Sequence, residues 1–252
     1  MRIVLISDLH RGSDNLTDNF GRRQENRLIK LIDACNRSNV EKLIILGDKE
    51  ELWQGRGRTA DGRLRRIYQK YYRLEKAFAS IYTRTIPGNH DWYLKYKYNL
   101  PPYVMIKENK MKMLFIHGHQ FEKLFTNKFL SGVSRVAAEV WGGIESIFGT
   151  TITGPILYRM ENTANKIKNK VLHPRENNEE NNAEINAIEK SKSLGRFTHV
   201  FFGHTHRPNM LTGKINCINT GTWIDGNADY VLIDTKASKK IIRRTYNGER
   251  SI

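Results

Sequence analysis

Side chains that can bind metal ions follow several short apolar runs in this sequence. Each run has the length and the Ile, Val, Leu and Phe content of a buried strand, and each ends near glycine, aspartate, asparagine or histidine. The metal-binding candidates are Asp8, His10, Asp48, Asn89, His117, His204 and His206. Taken singly, each is more often part of a turn or a helix cap, or a histidine with its hydrogen bonds satisfied, than a metal ligand. Because ligands bind beyond the carboxyl ends of strands in open α/β sheets, these strand ends together predict one shared site.

The mixture of donor types indicates which metals would bind. Carboxylate, imidazole and amide oxygen suit divalent ions such as manganese, iron or zinc, and the absence of thiolates argues against a structural zinc site. Seven donors are too many for one ion but suit two ions that share a bridging carboxylate. Two such ions clamp the attacking and leaving oxygens at phosphorus and lower the pKa of bound water. The pattern therefore predicts phosphoester hydrolysis with two divalent ions, and manganese is the expected metal.

Strands and helices alternate in the first half of the chain. Apolar residues at helical spacing predict helices over Gln24–Cys35 and Arg63–Phe78, between strands at Ile3–Ser7, Lys42–Leu46 and Ile81–Ile86. Further strands are predicted at Lys112–Ile116, Thr198–Phe202, Ile215–Asn219, Tyr230–Ile233 and Lys240–Thr245. The last three have no helices between them, which indicates an antiparallel or mixed second sheet. We therefore expect an α/β fold of two packed sheets with helices outside.

A long segment near the middle of the chain has a different pattern. Apolar residues recur at three- and four-residue steps from Phe121 to Phe148, which predicts an amphipathic helix interrupted near Gly142. A basic helix is predicted around Arg159–Leu172, and a flexible loop over Arg175–Glu184. We expect one domain, residues 1–252, with a helical insertion or lid at 120–193. The insertion either packs on the domain or offers an apolar face to lipid.

The composition of the chain indicates which kinds of molecule it is expected to bind. Lys and Arg number 42 against 26 acids, a formal charge of +16, which favours phosphorylated small molecules, nucleic acid or an acidic membrane surface. Cys35 and Cys217 are expected to be buried free thiols in a reducing compartment. The first apolar run is too short for a signal peptide, and no run reaches 18 apolar residues. We expect a cytoplasmic protein without a transmembrane segment; peripheral contact with the inner face of the membrane is the alternative.

The polar blocks together resemble a known signature. Asp8-x-His10, Gly47-Asp48, Gly88-Asn89-His90-Asp91, His117 and Gly203-His204-x-His206 resemble the five blocks of calcineurin-like metallophosphoesterases, in the family's order. The resemblance implies a four-layer α/β/β/α sandwich. It implies one metal held by Asp8, His10, Asp48 and His206, and a second held by Asp48, Asn89, His117 and His204. It further implies that His90 stabilises charge on the phosphoryl group or protonates the leaving oxygen, and that Asp91 orients its ring.

Two further segments resemble one branch of that family. Gly47–Trp53 and Asn219–Trp223 are similar to motifs of UDP-2,3-diacylglucosamine diphosphatases, and the insertion lies where those enzymes have a lid. His90 and Glu51 stand where that branch usually has Arg and Asp. The resemblance implies a nucleotide-linked lipid substrate of the UDP-sugar type. The alternative is a nuclease or cyclic-nucleotide phosphodiesterase.

Other polar and aromatic residues are candidates for substrate contacts. Arg56 and Arg58, on a loop with two glycines, either bind a diphosphate or nucleotide phosphate or are solvated side chains before a helix. Asn89 is a further expected substrate contact. Four tyrosines with intervening lysines resemble an aromatic and basic stacking surface for nucleic acid. They are Tyr93, Tyr96, Tyr98 and Tyr103, with Lys95 and Lys97 between them.

Overall fold

The computed structural model describes residues 1–14, 18–121, 179–237, 240–248 and 252, and only the backbone of residues 179–184. Within these residues ten strands form two five-stranded sheets. The first sheet contains β1 (Arg2–Ile6), β2 (Lys42–Leu46), β3 (Thr83–Ile86), β9 (Asp229–Asp234) and β10 (Ile241–Thr245). The second contains β4 (Tyr103–Glu108), β5 (Met111–Ile116), β6 (His199–Phe202), β7 (Asn209–Leu211) and β8 (Asn216–Asn219). Their spatial orders are β10-β9-β1-β2-β3 and β4-β5-β6-β8-β7.

Parallel pairing at the centre of each sheet brings the ends of several strands together. β1 pairs in parallel with β2, and β2 with β3. In the second sheet β5, β6 and β8 are likewise parallel neighbours. The residues of β1 and β2 are almost all buried, as expected for strands covered on both faces. The carboxyl ends of the strands therefore meet at one edge of each sheet.

Five helices complete the described layers: α1 (Gly21–Arg37), α2 (Ala60–Lys70), α3 (Tyr72–Ala79), α4 (Tyr93–Lys97) and α5 (Glu179–Ser191). One apolar cluster joins a face of the first sheet, through Val4 and Ile45, to Leu31 of α1 and Leu64 of α2. A second cluster joins the two sheets, and a third joins the outer face of the second sheet to Ala187 of α5. Alternate strand residues thus pack in different layers. The predicted α/β sandwich with helices outside is confirmed.

The predicted membership of the second sheet was wrong. Of the last three predicted strands, only β8 belongs to it, because β9 pairs antiparallel with β1 and β10 follows on β9. Five of the six residues of β9 are buried, as expected for an interior strand, and β9 lies between β10 and β1. β4 and β7 were not predicted. Their alternating or very short apolar patterns give little local signal.

Two helix predictions also need correction. The predicted helix Arg63–Phe78 is two helices, α2 and α3, separated at the buried Tyr71. The predicted loop Arg175–Glu184 is helical from Glu179, where α5 begins. Beyond Phe121, the predicted amphipathic helix and the predicted basic helix Arg159–Leu172 lie outside the described residues.

Two smaller predictions concern thiols and membrane spans. Cys35 and Cys217 are buried, as expected, and neither takes part in a disulfide among the described residues; burial raises the pKa of the Cys35 thiol to about 12. Among the helices of the described residues, none is long and apolar enough to cross a membrane.

Candidate metal centre

The predicted ligands meet where strand ends of the two sheets face each other. Asp8 and His10 follow β1, Asp48 follows β2 and Asn89 follows β3; His117 follows β5, and His204 and His206 follow β6. Three groups each bring ligand atoms within 4.8 Å of one another. They are Asp8 with His10 and His206, His10 with Asp48 and His90, and Asp48 with His117 and His204.

The first donor set centres on His10 and His206. Their Nε2 atoms are 3.1 Å apart, and His206 Nε2 lies 3.3 Å from Asp8 Oδ1. His10 Nε2 also lies 3.8 Å from Asp48 Oδ2. Bonds of about 2.0–2.1 Å to one ion would place neighbouring donors roughly 3 Å apart. The spacing of these donors therefore suits a single divalent ion.

The second donor set centres on His117. Its Nε2 lies 3.1 Å from Asp48 Oδ2 and 3.2 Å from Asn89 Oδ1. The other ring nitrogen, Nδ1, lies 2.6 Å from the carbonyl oxygen of Leu46, which can only accept a hydrogen bond. In a neutral ring this fixes the proton on Nδ1 and leaves the Nε2 lone pair facing two oxygen acceptors. Either a proton on Nε2 or a cation bound between these atoms would satisfy the two acceptors.

Asp48 is common to both donor sets. Its Oδ2 faces His10 and His117, while Oδ1 accepts a hydrogen bond from the backbone N–H of His90 at 2.8 Å. The residue is 1% exposed. Burial opposes ionisation, but the surrounding imidazoles outweigh it and hold the pKa of Asp48 well below its ordinary value. The His and Asp groups are therefore suited to a dinuclear metal centre.

Several candidate ligands have left-handed backbone conformations. The φ angles are 55° at Asp8, 45° at His10, 50° at Asp48, 72° at His204 and 58° at His206. Positive φ is uncommon for residues with a Cβ, and it persists where the surrounding structure fixes it. The concentration of five such residues marks this strand edge as the functional part of the fold.

Glycines in the motifs allow close backbone approach to the two carboxylates. A Cβ on Gly88 would overlap the Asp48 carboxylate, and one on Gly203 would overlap Asp8 Oδ2. The Asp8 carboxylate instead accepts a hydrogen bond from the backbone N–H of His204, 3.0 Å from Oδ2. Only glycine fits at these two positions. Gly88 lets the loop after β3 contact the loop after β2, and Gly203 lets the loop after β6 contact the loop after β1.

His90 lies at the mouth of the centre with a partner that we did not predict. Its Nδ1 is 2.7 Å from Glu51 Oε2, and its ring centroid is 4.6 Å from that of His10. Burial lowers the pKa of His90, but Glu51 and Asp48 outweigh it and raise the pKa to about 10. Glu51 also lies 3.5 Å from His10 Nδ1. This carboxylate therefore fixes the orientation of both rings.

Asp91, which the resemblance assigned to orient His90, has different contacts. Its carboxylate accepts hydrogen bonds from the backbone N–H groups of Gly88 at 2.5 Å and Lys49 at 2.8 Å. It thus joins the loop after β3 to the loop after β2. The side chain that contacts the His90 ring is therefore Glu51, whereas Asp91 positions the backbone around Asp48.

Comparison with known proteins agrees with this geometry. A model of the calcineurin-like phosphoesterase family matches residues 1–208. The chain belongs to that family. The search of curated proteins gave no match to this sequence.

Several solved structures are similar to this calcineurin-like phosphoesterase. Wild-type Vps29 from Entamoeba histolytica, complexed with Zn²⁺, is 13% identical, with a TM-score of 0.46 and coverage of 98% of this chain and 100% of that chain. A metallophosphoesterase from Sphaerobacter thermophilus is 16% identical, with a TM-score of 0.43 and coverage of 98% and 88%. A predicted phosphoesterase from Streptococcus pneumoniae TIGR4 is 14% identical, with a TM-score of 0.41 and coverage of 97% of each chain.

The arginines that follow Trp53 in this family member differ in their exposure. Arg56 and Arg58 are exposed on the loop after Trp53, whose Nε1 donates to the carbonyl oxygen of Asn89 at 2.5 Å. Arg63 is buried and donates to the carbonyl oxygen of Gly57 at 2.9 Å, so it supports the loop from within. The predicted substrate role of Arg56 and Arg58 stays a proposal.

Sequence reasoning missed residues that act through other residues. Thr222 Oγ1 and the backbone N–H of Trp223 both donate to the carbonyl oxygen of Asp8, at 3.0 and 3.1 Å. Trp223 is fully buried and packs beside the site. The Asn219–Trp223 motif was recognised by resemblance, but its contact with Asp8 joins residues more than 200 positions apart and has no local signal.

Proposed function

We propose that this protein hydrolyses a phosphodiester or diphosphate bond with two divalent ions, of which manganese is the first to test. The observation that supports this most is the position of Asp48 Oδ2 between two donor sets. Asp8, His10, Asp48 and His206 would hold one ion, and Asp48, Asn89, His117 and His204 the other. When bound, the pair supplies an activated water and neutralises charge on the phosphoryl oxygens.

His90 is the proposed proton donor. Its side chain is 28% exposed, and Glu51 occupies Nδ1, so Nε2 is the nitrogen left for substrate. An Nε2–H at this position can donate to a phosphoryl oxygen or to the leaving oxygen. The Trp53 ring, with its centroid 5.6 Å from that of His90, limits where the ring can move.

The proposed substrate carries a second phosphoryl group, as a UDP-sugar lipid does. The position of Arg56 supports a second phosphoryl group. Its backbone N–H donates to Asp14 Oδ2 at 3.0 Å, and this hydrogen bond holds the Arg56 loop, which follows Asp48, against the segment that follows His10. Arg56 and Arg58 are both exposed there, and guanidinium groups bind phosphate in a bidentate manner. Contact of the 120–193 insertion with the lipid or with the inner face of the membrane remains part of this proposal.

A paired variant separates this substrate contact from charge alone. Arg56→Ala/Arg58→Ala should lower kcat/KM for UDP-2,3-diacylglucosamine by about 10-fold or more. Hydrolysis of bis-p-nitrophenyl phosphate should stay unchanged. Arg65→Ala/Arg66→Ala removes the same charge from the exposed face of α2 and should affect neither substrate. Equal losses on both substrates would contradict the phosphate-contact role.

One observation favours nucleic acid as a second candidate substrate. α4 directly follows the His90 block, and on this segment Tyr96 and Tyr98 are 57% and 47% exposed. Lys95 and Lys97 lie beside their rings, with Nζ 5.8 Å from the centroids of Tyr96 and Tyr98 respectively. Exposed rings with adjacent cations suit base stacking along a single strand.

A phosphoester panel with manganese tests both candidates. UDP-2,3-diacylglucosamine, a cyclic nucleotide and single-stranded DNA should be compared with bis-p-nitrophenyl phosphate. Release of UMP supports the first candidate, whereas DNA cleavage that falls steeply with salt supports the second. For the second, Tyr96→Ala/Tyr98→Ala should weaken DNA binding, and Tyr82→Ala, 60% exposed before β3, should not. Wild-type protein that hydrolyses no phosphoester contradicts the proposed function.

A further inference from the structure

Four charged side chains lie beneath the metal centre without belonging to either donor set. Arg11 and Glu50 are fully buried, Lys49 is 7% exposed, and the Glu75 side chain is 28% exposed. Arg11 follows His10 directly, Lys49 and Glu50 follow Asp48, and Glu75 lies on α3. Buried charges are costly unless they are paired and hydrogen-bonded. The four charges between the first two metal-binding loops must therefore be paired with one another.

The four side chains form a neutral network. Arg11 Nε donates to Glu50 Oε2 at 3.0 Å and Nη2 donates to Oε1, a bidentate pair, while Nη1 lies 2.6 Å from Glu75 Oε1. Lys49 Nζ lies 3.5 Å from carboxylate oxygens of both Glu50 and Glu75. The Arg11 guanidinium is also 5.6 Å from the centroid of the Phe78 ring. The geometry is that of a strong and directional ion pair.

The same residues continue the pairing of β1 and β2 beyond the strand ends. Arg11 and Glu50 form an isolated parallel bridge. The Arg11 N–H donates to the Lys49 carbonyl at 3.3 Å, and the Glu51 N–H donates to the Arg11 carbonyl at 3.0 Å. One residue earlier, the His10 N–H donates to the Asp48 carbonyl at 2.9 Å. The two loops are therefore held in register at the positions where the ligands project.

A gain in stability does not by itself explain these contacts. Apolar side chains of similar volume often stabilise a fold as well as a buried ion pair, so the pair is weak evidence for a stabilising role. Asp8, His10 and Asp48, however, hold positive φ angles that only fixed surroundings maintain. We propose that the Arg11–Glu50 pair, completed by Lys49 and Glu75, positions the loops that carry Asp8, His10 and Asp48 for metal binding. This inference rests on the proposed two-metal function.

Replacement of the whole pair tests the positioning role without leaving an isolated buried charge. Arg11→Met/Glu50→Leu removes one charge of each sign and leaves Lys49 beside Glu75. Calorimetric titration of the metal-free protein with Mn²⁺ should show affinity reduced by about 10–100-fold, as for other residues that support metal ligands. The thermal transition should stay near that of the wild type. Leu31→Ala, in the α1 core, is the control; it should lower the thermal transition and leave Mn²⁺ affinity unchanged.

A milder variant decides the question if the double variant does not fold. Arg11→Lys keeps the cation but loses the planar fork, so Mn²⁺ affinity should fall by less than in the double variant, yet measurably. Wild-type affinity in either folded variant would overturn the positioning role, as would an equal loss in Leu31→Ala. Wild-type protein that binds no Mn²⁺ would contradict the proposed function instead.

Discussion

The two sheets supply chemically different halves of the candidate metal centre. The first contributes the carboxylates Asp8 and Asp48, together with Asn89 and His10, all at most 9% exposed. The second contributes only imidazoles, and they range from the fully buried His117 to His206, whose side chain is 34% exposed. The anionic half is thus enclosed, whereas the imidazole half extends to the surface.

The hydrogen bonds that hold the candidate ligands in place also differ between the two sheets. Asp8 and Asp48 accept hydrogen bonds from the backbone N–H groups of His204 and His90, and their loops rest on the Arg11–Glu50 pair. His117 has one support at Nδ1, the Leu46 carbonyl. Buried carboxylates are charged and need many partners, while a neutral imidazole needs one hydrogen bond to set its tautomer. The difference indicates that the first sheet fixes the geometry of its ligands more tightly than the second does.

Loss of Asp48, the residue common to both donor sets, should have the largest effect. Asp48→Asn should abolish binding of both ions and reduce hydrolysis of bis-p-nitrophenyl phosphate by about 1,000-fold or more, because the bridging charge is removed. Metal content per chain, measured after dialysis, checks this directly. Asp61→Asn, on α2, should retain wild-type metal content. Retention of both ions by Asp48→Asn would contradict its bridging role.

Replacement of His90 tests whether the loops of the first sheet also supply a proton donor. His90→Ala should lower turnover by about 100- to 10,000-fold, because general acid catalysis contributes that much, while both ions stay bound. Steady-state kinetics and metal analysis on the same preparation separate the two effects. Loss of an ion in this variant would instead place His90 among the ligands.

Glu51 should have a smaller effect through the same ring. Glu51→Gln keeps a hydrogen-bond acceptor near His90 Nδ1 but removes the charge, so turnover should fall by about 10-fold. Glu41→Gln, an exposed acid before β2 with a side chain 54% exposed, is the matched control. A variant as active as the wild type would show that Glu51 does not orient His90.

The smallest predicted effect compares two imidazoles of the second sheet. In the metal-free protein, His117→Ala should lower the free energy of unfolding by about 2 kcal/mol, because it empties a buried site and leaves the Leu46 carbonyl unpaired. His206→Ala, at a partly exposed position, should cost less than about 1 kcal/mol. Urea denaturation of both variants measures the difference. Equal costs would contradict the contrast between the buried and the exposed imidazole.

Local patterns predicted the parts of the fold that depend on nearby residues. β1 and β2 are continuous apolar runs, and β2 lies at the predicted bounds. The sheet joined by β9 depends on pairing with β1, more than 220 residues away, so no local pattern indicates it. The break at Tyr71 also lacks a glycine or proline and follows from packing of α2 and α3.

The candidate site shows the same division. Asp8, Asp48 and His117 were predicted because each follows an apolar strand, and the structure brings them together; their ligand roles remain proposals. Glu51 and Arg11 were not predicted as parts of the site. Glu51 lies within the Gly47–Trp53 motif and Arg11 follows the Asp8-x-His10 block, but the role of each depends on a side-chain contact with a residue 39 positions away. Sequence spacing indicates where ligands stand, and tertiary contacts determine what holds them.

The most direct test of the two-metal account is titration of chelator-treated protein with Mn²⁺ while hydrolysis of bis-p-nitrophenyl phosphate is followed. The account predicts no hydrolysis without metal and activity that rises until two ions are bound per chain, since Asp48 joins two donor sets. Hydrolysis that persists in chelator, or full activity with one ion per chain, would contradict it.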